Sequence, residues 1–264
     1  MGTPQIYPNP PLVLAVIELR HDTTPTISEP DQAALKSFLS ETFPLSRPVQ
    51  AGMSVTITST DVQKSETPTC PRFMSRDNTA SITFRPEAIV VETTRYVRRS
   101  VLKERLRQAI EARQKVAGAG GMTRLGVRYI NEVRASTETP ADWSQWISPT
   151  LTSSSALTLG DGQLAQMWQG LATFGNEREG LVLRHGNLEG YAVNPAGDLR
   201  RPTPPPGPFY LLDLDSYWSP DGDTPPLEWQ HIESRYDDAA LLAYNFFQQL
   251  VTDKYRQEVL LRDQ

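Results

Sequence analysis

The residues best suited by type and spacing to do chemistry are the arginines of "TRLGVRYINEVR" (residues 123–134). The run reads as a β-strand. Its two-residue period puts Arg124, Gly126, Arg128, Ile130, Glu132 and Arg134 on one face and Leu125, Val127, Tyr129 and Val133 on the other. In "FYLLDLDSY" (209–217) the same period groups Phe209, Leu211, Asp213 and Asp215, with the two aspartates about 7 Å apart. Guanidinium groups set against carboxylates can neutralise them within a sheet. They can also line a concave surface that binds an anion or an acidic partner segment. Arg124, Arg128, Arg134, Asp213 and Asp215 are therefore the candidate ligand- or partner-binding residues. Arg128 and Asp213 are expected to be coupled, directly or through a short network.

Other chemistries find less material. Asp213, Asp215, Asp221 and Asp223 are hard oxygen ligands of the kind magnesium takes, but their spacing is not that of an EF-hand loop, and Gly222 reads as turn chemistry. His21, His185 and His231 lie in separate segments with no H-E-x-x-H or i, i+4 pairing. No metal site and no cofactor are expected. No serine occupies a G-x-S-x-G elbow, and Cys70, between Thr69 and Pro71, reads as an exposed loop cysteine. "GAGG" (118–121) follows a helix instead of opening one, so it stops that helix and is not a phosphate cradle. No catalytic residue is assigned.

The elements that must position these residues can be read in order. "PLVLAVIELR" (11–20) is a strand rich in β-branched residues. Residues 28–43 form a helix with Ser28 as N-cap, Pro30 in the first turn and an apolar stripe of Ala34, Leu35, Phe38 and Leu39. Strands follow at 53–60, on both sides of an Asp77-Asn78 turn, and at 87–97; a glycine-stopped helix spans 100–121. The second half repeats the plan. Residues 122–134 form a strand and 139–151 a short helix capped by Thr139. Strands at 162–175, 178–193 and 207–218 precede a helix over 227–262. The proline-rich stretches 200–208 and 219–226 are loops. In the last helix Leu241, Leu242, Tyr244, Phe246, Phe247 and Leu250 form a sector wider than one face needs, so Phe246 and Phe247 are candidate interface residues.

Two segment pairs suggest a duplication. "VIELR" (16–20) lines up with "INEVR" (130–134) at an offset of 114 residues, and "IVVETTRY" (89–96) with "YLLDLDSY" (210–217) at an offset of 121. The fold expected is α+β, a tandem duplication of a β-α-β(4)-α unit. Residues 1–121 and 122–264 would each form an antiparallel sheet backed by helices, related by pseudo-twofold symmetry and packed as one body.

At "YPNPPLVLAVIELR", "LGVRYINEV" and "YLLDLDSYW" the chain resembles a sporadically distributed family of uncharacterised bacterial proteins. That family has a Y-P-N-x-P-L-V start and an R-x-G-x-R-Y-I-N central strand, here Arg124, Gly126, Arg128, Tyr129, Ile130 and Asn131, with Val127 where leucine is commoner. The resemblance covers most of the 264 residues. It implies the duplicated fold and an accessory bacterial setting, and it implies no activity.

Composition frames the function. The chain is 38% hydrophobic with mean hydropathy −0.43, and no run approaches a membrane span. The start lacks the pattern of a signal peptide or a myristoylation site, and a single cysteine excludes an internal disulfide, so a cytoplasmic address is expected. Residues 1–135 carry 18 basic against 13 acidic residues, while residues 136–264 carry 8 against 18. Such asymmetry marks either two halves that attract one another or a nucleic-acid or partner face. The basic helix over 98–115, with Arg99, Lys103 and Arg107 on one side, would suit phosphate, but the acidic second half repels nucleic acid. The reading is a non-enzymatic binding or regulatory component acting on a protein partner in an accessory system, such as phage defence or a toxin–antitoxin-like pair. The alternative is a small-ligand or anion binder using an arginine-lined sheet cleft; a nucleic-acid-binding saddle is third. A homo-oligomer is compatible with each.

Overall fold

The structure, a computed structural model, describes residues 6–50, 55–58, 61–64, 69–135, 141–153, 160–163 and 165–262, without the side chains of 55–58 and 61–64. The first half runs β1 (Leu12–His21), α1 (Glu29–Leu39), β2 (Leu45–Ser46), β3 (Val49–Gln50), β4 (Val55–Thr58), β5 (Asp61–Lys64), β6 (Thr69–Cys70), β7 (Arg72–Met74), β8 (Ala80–Phe84), β9 (Ala88–Thr93) and α2 (Arg99–Ala117). The second half runs β10 (Met122–Val133), α3 (Pro149–Thr152), β11 (Trp168–Gly175), β12 (Glu179–Glu189), β13 (Pro208–Trp218), α4 (Trp229–Leu250) and α5 (Asp253–Tyr255), closed by a π-turn over Arg256–Leu260.

The fold is α+β, and the strands of both halves join one nine-stranded antiparallel sheet, in the order β11-β12-β13-β10-β1-β9-β8-β7-β2. This differs from the two separate sheets that the sequence suggests. The halves fuse because β1 and β10 pair along almost their whole length, from Leu12↔Asn131 to His21↔Met122. Pairing satisfies both rows of backbone groups that two sheets would have left as open edges. The pairs β3–β6 and β4–β5 stand apart as two-stranded ribbons.

Local signals account for much of this. The Ser28 hydroxyl accepts the Asp31 N–H at 3.3 Å and Glu29 and Asp31 sit in the first turn of α1. Asn78 takes the left-handed conformation (φ 56°) that turns β7 into β8. Other readings need correction. Residues 144–146 form a turn, Ile147 bridges to Val251 and the helix there is only α3, while Trp143 and Ile147 are buried in the second core; Thr139 lies outside the described residues. The final helix breaks at extended Val251, which bridges to Ile147, and Thr252 caps a new turn by accepting Tyr255 N–H at 3.1 Å. Three strands follow α3 in the described part of the second half, where the duplicated unit calls for four. Cys70 is buried, paired within β6 to Val49, and burial pushes its thiol pKa up.

One face of the sheet carries the helices. Ala15, Ile17 and Leu19 of β1, Leu125 and Val127 of β10, Leu35 of α1, Leu102 and Leu106 of α2 and Ile232 and Tyr236 of α4 form one core. Trp143, Ile147, Leu181, Leu183, Tyr210 and Leu212 form a second, and α4 reaches both, giving Ala239 and Ala240 to one and Ala243 and Leu250 to the other. Phe246 and Phe247 are half-buried: Phe246 lies 4.9 Å from the Phe174 ring, centroid to centroid, and Phe247 packs against the second core. The charge asymmetry is spent partly between α2 and α4. Lys103 Nζ lies 2.8 Å from Glu233 and 2.9 Å from Asp237, and Arg99 is 3.7 Å from Asp237. Arg99 and Lys103 are thus matched by acids of the other half, and Arg107 by Glu104 and Glu111 of its own helix.

Candidate binding face on the open side of the sheet

Alternation along β10 and β13 places one polar row on the side away from the helices. Leu125 and Val127 point into the core, so Arg124, Gly126 and Arg128 point out of it, and Asp213 and Asp215 of β13 join them. From β1 come Val16, Glu18 and Arg20; from β12, Arg184; from β9, Glu92. The result is a mosaic of guanidinium and carboxylate groups.

Arg128 and Asp213 are directly paired. Arg128 Nε donates to Oδ1 at 2.7 Å and Nη2 to Oδ2 at 2.6 Å. This fork geometry is among the stronger ion-pair arrangements. The pair is diagonal across the ladder, since Arg128 sits opposite Asp215 and Asp213 opposite Ile130. The Asp213 side chain is 3% exposed against 39% for Arg128, so the cation roofs the anion. Arg184 approaches the same Oδ2 at 3.5 Å. Asp215 is held more loosely, 4.0 Å from Arg124, and desolvation by burial raises its pKa against the opposing pull of Arg124 and Arg128.

A strap from residues 190–207 crosses this face at one end. Gly190 N–H donates to Gly207 O at 3.1 Å and closes its neck. The clamp is Glu132, whose carboxylate is 1% exposed. Its oxygens accept Ala192 N–H at 2.9 Å, Arg201 Nη2 at 3.0 Å and Arg134 Nη2 at 2.8 Å. Arg134 also donates to the carbonyls of Gly190 (2.5 Å) and Gly207 (3.3 Å). At the far end Arg200 N–H reaches Asn78 O (2.8 Å), Thr94 Oγ1 reaches Arg200 O (2.5 Å) and Arg72 holds Asp198 (2.8 Å). Ala192 and Val193 rest on Val13, Leu14, Ile130, Phe209 and Leu211, an apolar strip on the otherwise polar side.

What the strap leaves uncovered is a basin of about 440 Å³ lined by Val16, Glu18, Arg20, Arg124, Gly126, Arg128 and Asp215. A Cβ at position 126 would lie 2.8 Å from Arg124 Nη1, so the glycine gives Arg124 room to lie across the strand, with its guanidinium 5.4 Å from the Tyr217 ring. The structure thus brings Arg124, Arg128, Asp213 and Asp215 together and assigns Arg134 to the strap. Phe246 and Phe247 lie on the helix side, remote from this face. Asp221 pairs with Arg178 and does not join Asp213 and Asp215. Among the described residues no group of three or more His, Cys, Asp and Glu side chains is placed to share a metal ion, and no helix is long and apolar enough to cross a membrane.

Sequence reasoning missed Arg184, Glu18, Arg20 and Arg201. Alternation in "AVIELR" carried the signal for Glu18 and Arg20. Nothing in the sequence ties Arg201, in a proline-rich loop, to Glu132, 69 positions away. No protein-family model and no curated protein matches this chain.

Proposed function

We propose that the chain is a non-enzymatic binding component, built by tandem duplication, whose open sheet face takes a protein partner. The duplication draws support from register. Ala15↔Thr93 and Val16↔Glu92 pair β1 with β9, and Tyr129↔Leu214 and Ile130↔Asp213 pair β10 with β13. Adding the offsets of 114 and 121 residues, taken from the segment pairs alone, converts each first-half pair into its second-half counterpart. In the β1–β10 ladder Ala15 pairs with Tyr129, the residue 114 positions on, and Leu14↔Ile130 and Val16↔Arg128 lie on either side of that pair, as a pseudo-twofold axis through it requires. The strand order on either side of it runs 10-13-12-11 and 1-9-8-7.

The observation that carries the functional reading is the charge balance of the open face. Arg20, Arg124, Arg128 and Arg184 stand beside Glu18, Glu92, Asp213 and Asp215 on a surface the helices do not cover. Arg20 is 2.6 Å from Glu18, and Arg124 is 3.9 Å from Glu18. A face with both signs interleaved discriminates between protein surfaces by complementarity. It offers little net field to a polyanion, which disfavours the nucleic-acid saddle; the pairing of α2 cations with α4 acids disfavours it further. The anion-binding alternative draws on the convergence of three arginines around Gly126, but each is already neutralised in part. An accessory bacterial setting, phage defence or a toxin–antitoxin-like pair, is the context the motif resemblance suggests.

The test is affinity purification from the native host with wild-type protein and an Arg20→Glu/Arg124→Glu double variant, quantified by mass spectrometry. A protein retained by the wild type and lost from the variant, then bound in purified form, is the expected result. Equal retention by both would remove the sheet face from the reading. A bound small anion, released on denaturation and absent from the variant, would favour the alternative.

A further inference from the structure

On the helix side, away from the charged face, a cavity of about 330 Å³ opens between the chain start, the beginning of α2, the sheet centre and α4. Its walls are mainly apolar and aromatic: Tyr7 and Pro11 on one side, Tyr96 and Tyr129 below, and Ala243 and Phe247 of α4 on the other. This is the size and character of a small-molecule site, at the lower end of the range. Five of its seventeen lining residues carry aromatic rings, enough to hold a planar ring. Tyr96 and Tyr129, both in its lining, meet edge to face with centroids 5.7 Å apart.

Two features of the lining are not those of a filled core. The first is Asn131. Its neighbours on the same strand face, Leu125, Val127 and Val133, are buried core residues, but Asn131 is polar and 5% exposed. Its Nδ2 donates to the carbonyls of Tyr129 (3.3 Å) and Leu212 (2.9 Å), and the residue lines the cavity. Among the described residues Oδ1 accepts no hydrogen bond. The oxygen is not sealed off by the protein, so it stands as an acceptor open to a donor on a ligand. The second is the mouth. Arg98, Arg99 and Ser100 line it, and α2 begins there with no side-chain cap and no acid in its first turn. Arg99 has only Asp237, at 3.7 Å, and Arg98 makes no ion pair among the described residues. Positive charge from a 19-residue helix and an unpaired arginine therefore converges on one end of an aromatic cavity.

We infer that this cavity binds a small aromatic anion: a planar ring held between the tyrosines and Phe247, a donor on its far edge meeting Asn131 Oδ1, and a carboxylate or phosphate head at Arg98 and the α2 N-terminus. A simple alkyl anion fits less well, because its tail would end against the amide. This site is separate from the sheet face, so neither reading depends on the other.

Calorimetric titration tests it with three probes: 6-hydroxy-2-naphthoate, 2-naphthyl phosphate and the uncharged 2-naphthol. At least one anion should saturate a single site, and the tighter of the two identifies the head group. Reversal of an exposed charge in Arg98→Glu should weaken that anion by about tenfold or more, with a melting temperature like the wild type's, while Arg20→Glu on the opposite face leaves binding unchanged. Asn131→Leu should weaken the hydroxynaphthoate and leave the naphthyl phosphate alone. No saturable binding of either anion, 2-naphthol binding as tightly as the anions, or equal affinity in Arg98→Glu would each overturn the inference. If Asn131→Leu does not fold, the Arg98→Glu comparison decides alone.

Discussion

Replacing Arg128 with methionine takes away both guanidinium hydrogen bonds to Asp213 and leaves a carboxylate that is 3% exposed with only Arg184, 3.5 Å from one oxygen. Removing one partner from a buried ion pair costs about 3–5 kcal/mol. Arg128 itself is 39% exposed, so solvent screening brings the expected loss to about 2–3 kcal/mol. Asp213→Asn is milder. The amide keeps the shape and one acceptor, and the arginine left behind can turn to water, so about 1–2 kcal/mol is expected. In the double variant neither charge remains to be stranded, so its loss should be no greater than that of Arg128→Met alone. The coupling energy is then at least about 1–2 kcal/mol, well above the roughly 0.5 kcal/mol scatter of independent sites. Urea unfolding with linear extrapolation measures all four corners of the cycle, provided the m-value stays constant. Arg184→Met serves as the control, with a coupling to Asp213 below about 1 kcal/mol because its contact is long and half exposed. Additive losses for Arg128 and Asp213 would refute the claim that the fork stabilises the sheet face and would leave the pair as a crossing of two independent side chains.

The other expectations follow from the same geometry. Glu132→Gln should cost about 3–5 kcal/mol, because Arg134 and Arg201 lose their shared counter-charge in a buried clamp; hydrogen exchange should rise over residues 190–207 before it rises in β10, and uniform loosening would contradict a strap held locally. Burial holds the His21 pKa below its ordinary 6.5, so the folded state resists the proton that the unfolded chain accepts. Its contribution is complete above that pH and is lost as pH falls below it; His21→Gln should flatten the stability–pH curve just below pH 6.5, and a curve with unchanged slope would show that another group controls it. For Asp215 the sign is reversed. Its raised pKa means that wild-type stability falls as pH rises from its ordinary 3.8 toward the raised value, and Asp215→Asn should remove that fall. Phe246→Ala and Phe247→Ala should each cost about 1–3 kcal/mol, less than a full core truncation, since both rings are half-buried; a loss above that range, or association weakened in sedimentation, would show that a further surface covers them.

Sequence periodicity determined which side of each long strand is apolar, because a residue's face depends only on its parity along the chain. That is why parity alone groups Arg124 with Arg128 and Asp213 with Asp215, while the pairing of β10 with β13 is what brings Arg128 to Asp213. The helix start at Ser28 and the Asp77-Asn78 turn were legible for a related reason: the capping hydroxyl and the tolerance for positive φ are properties of single residues. Tertiary structure decided what depends on two distant segments meeting. That β1 and β10 would pair and merge the halves into one sheet follows from edge groups seeking partners, which no local pattern records. Arg134 left the binding row because Glu132 and the strap carbonyls of Gly190 and Gly207 claimed it, and those carbonyls lie 56 and 73 positions away. Cys70 became buried because β3 came to lie beside it. The helix-side cavity was equally illegible: Asn131, Tyr96, Arg98 and Phe247 are scattered along the chain, and only the packing of α2 and α4 on the sheet gives them a common space.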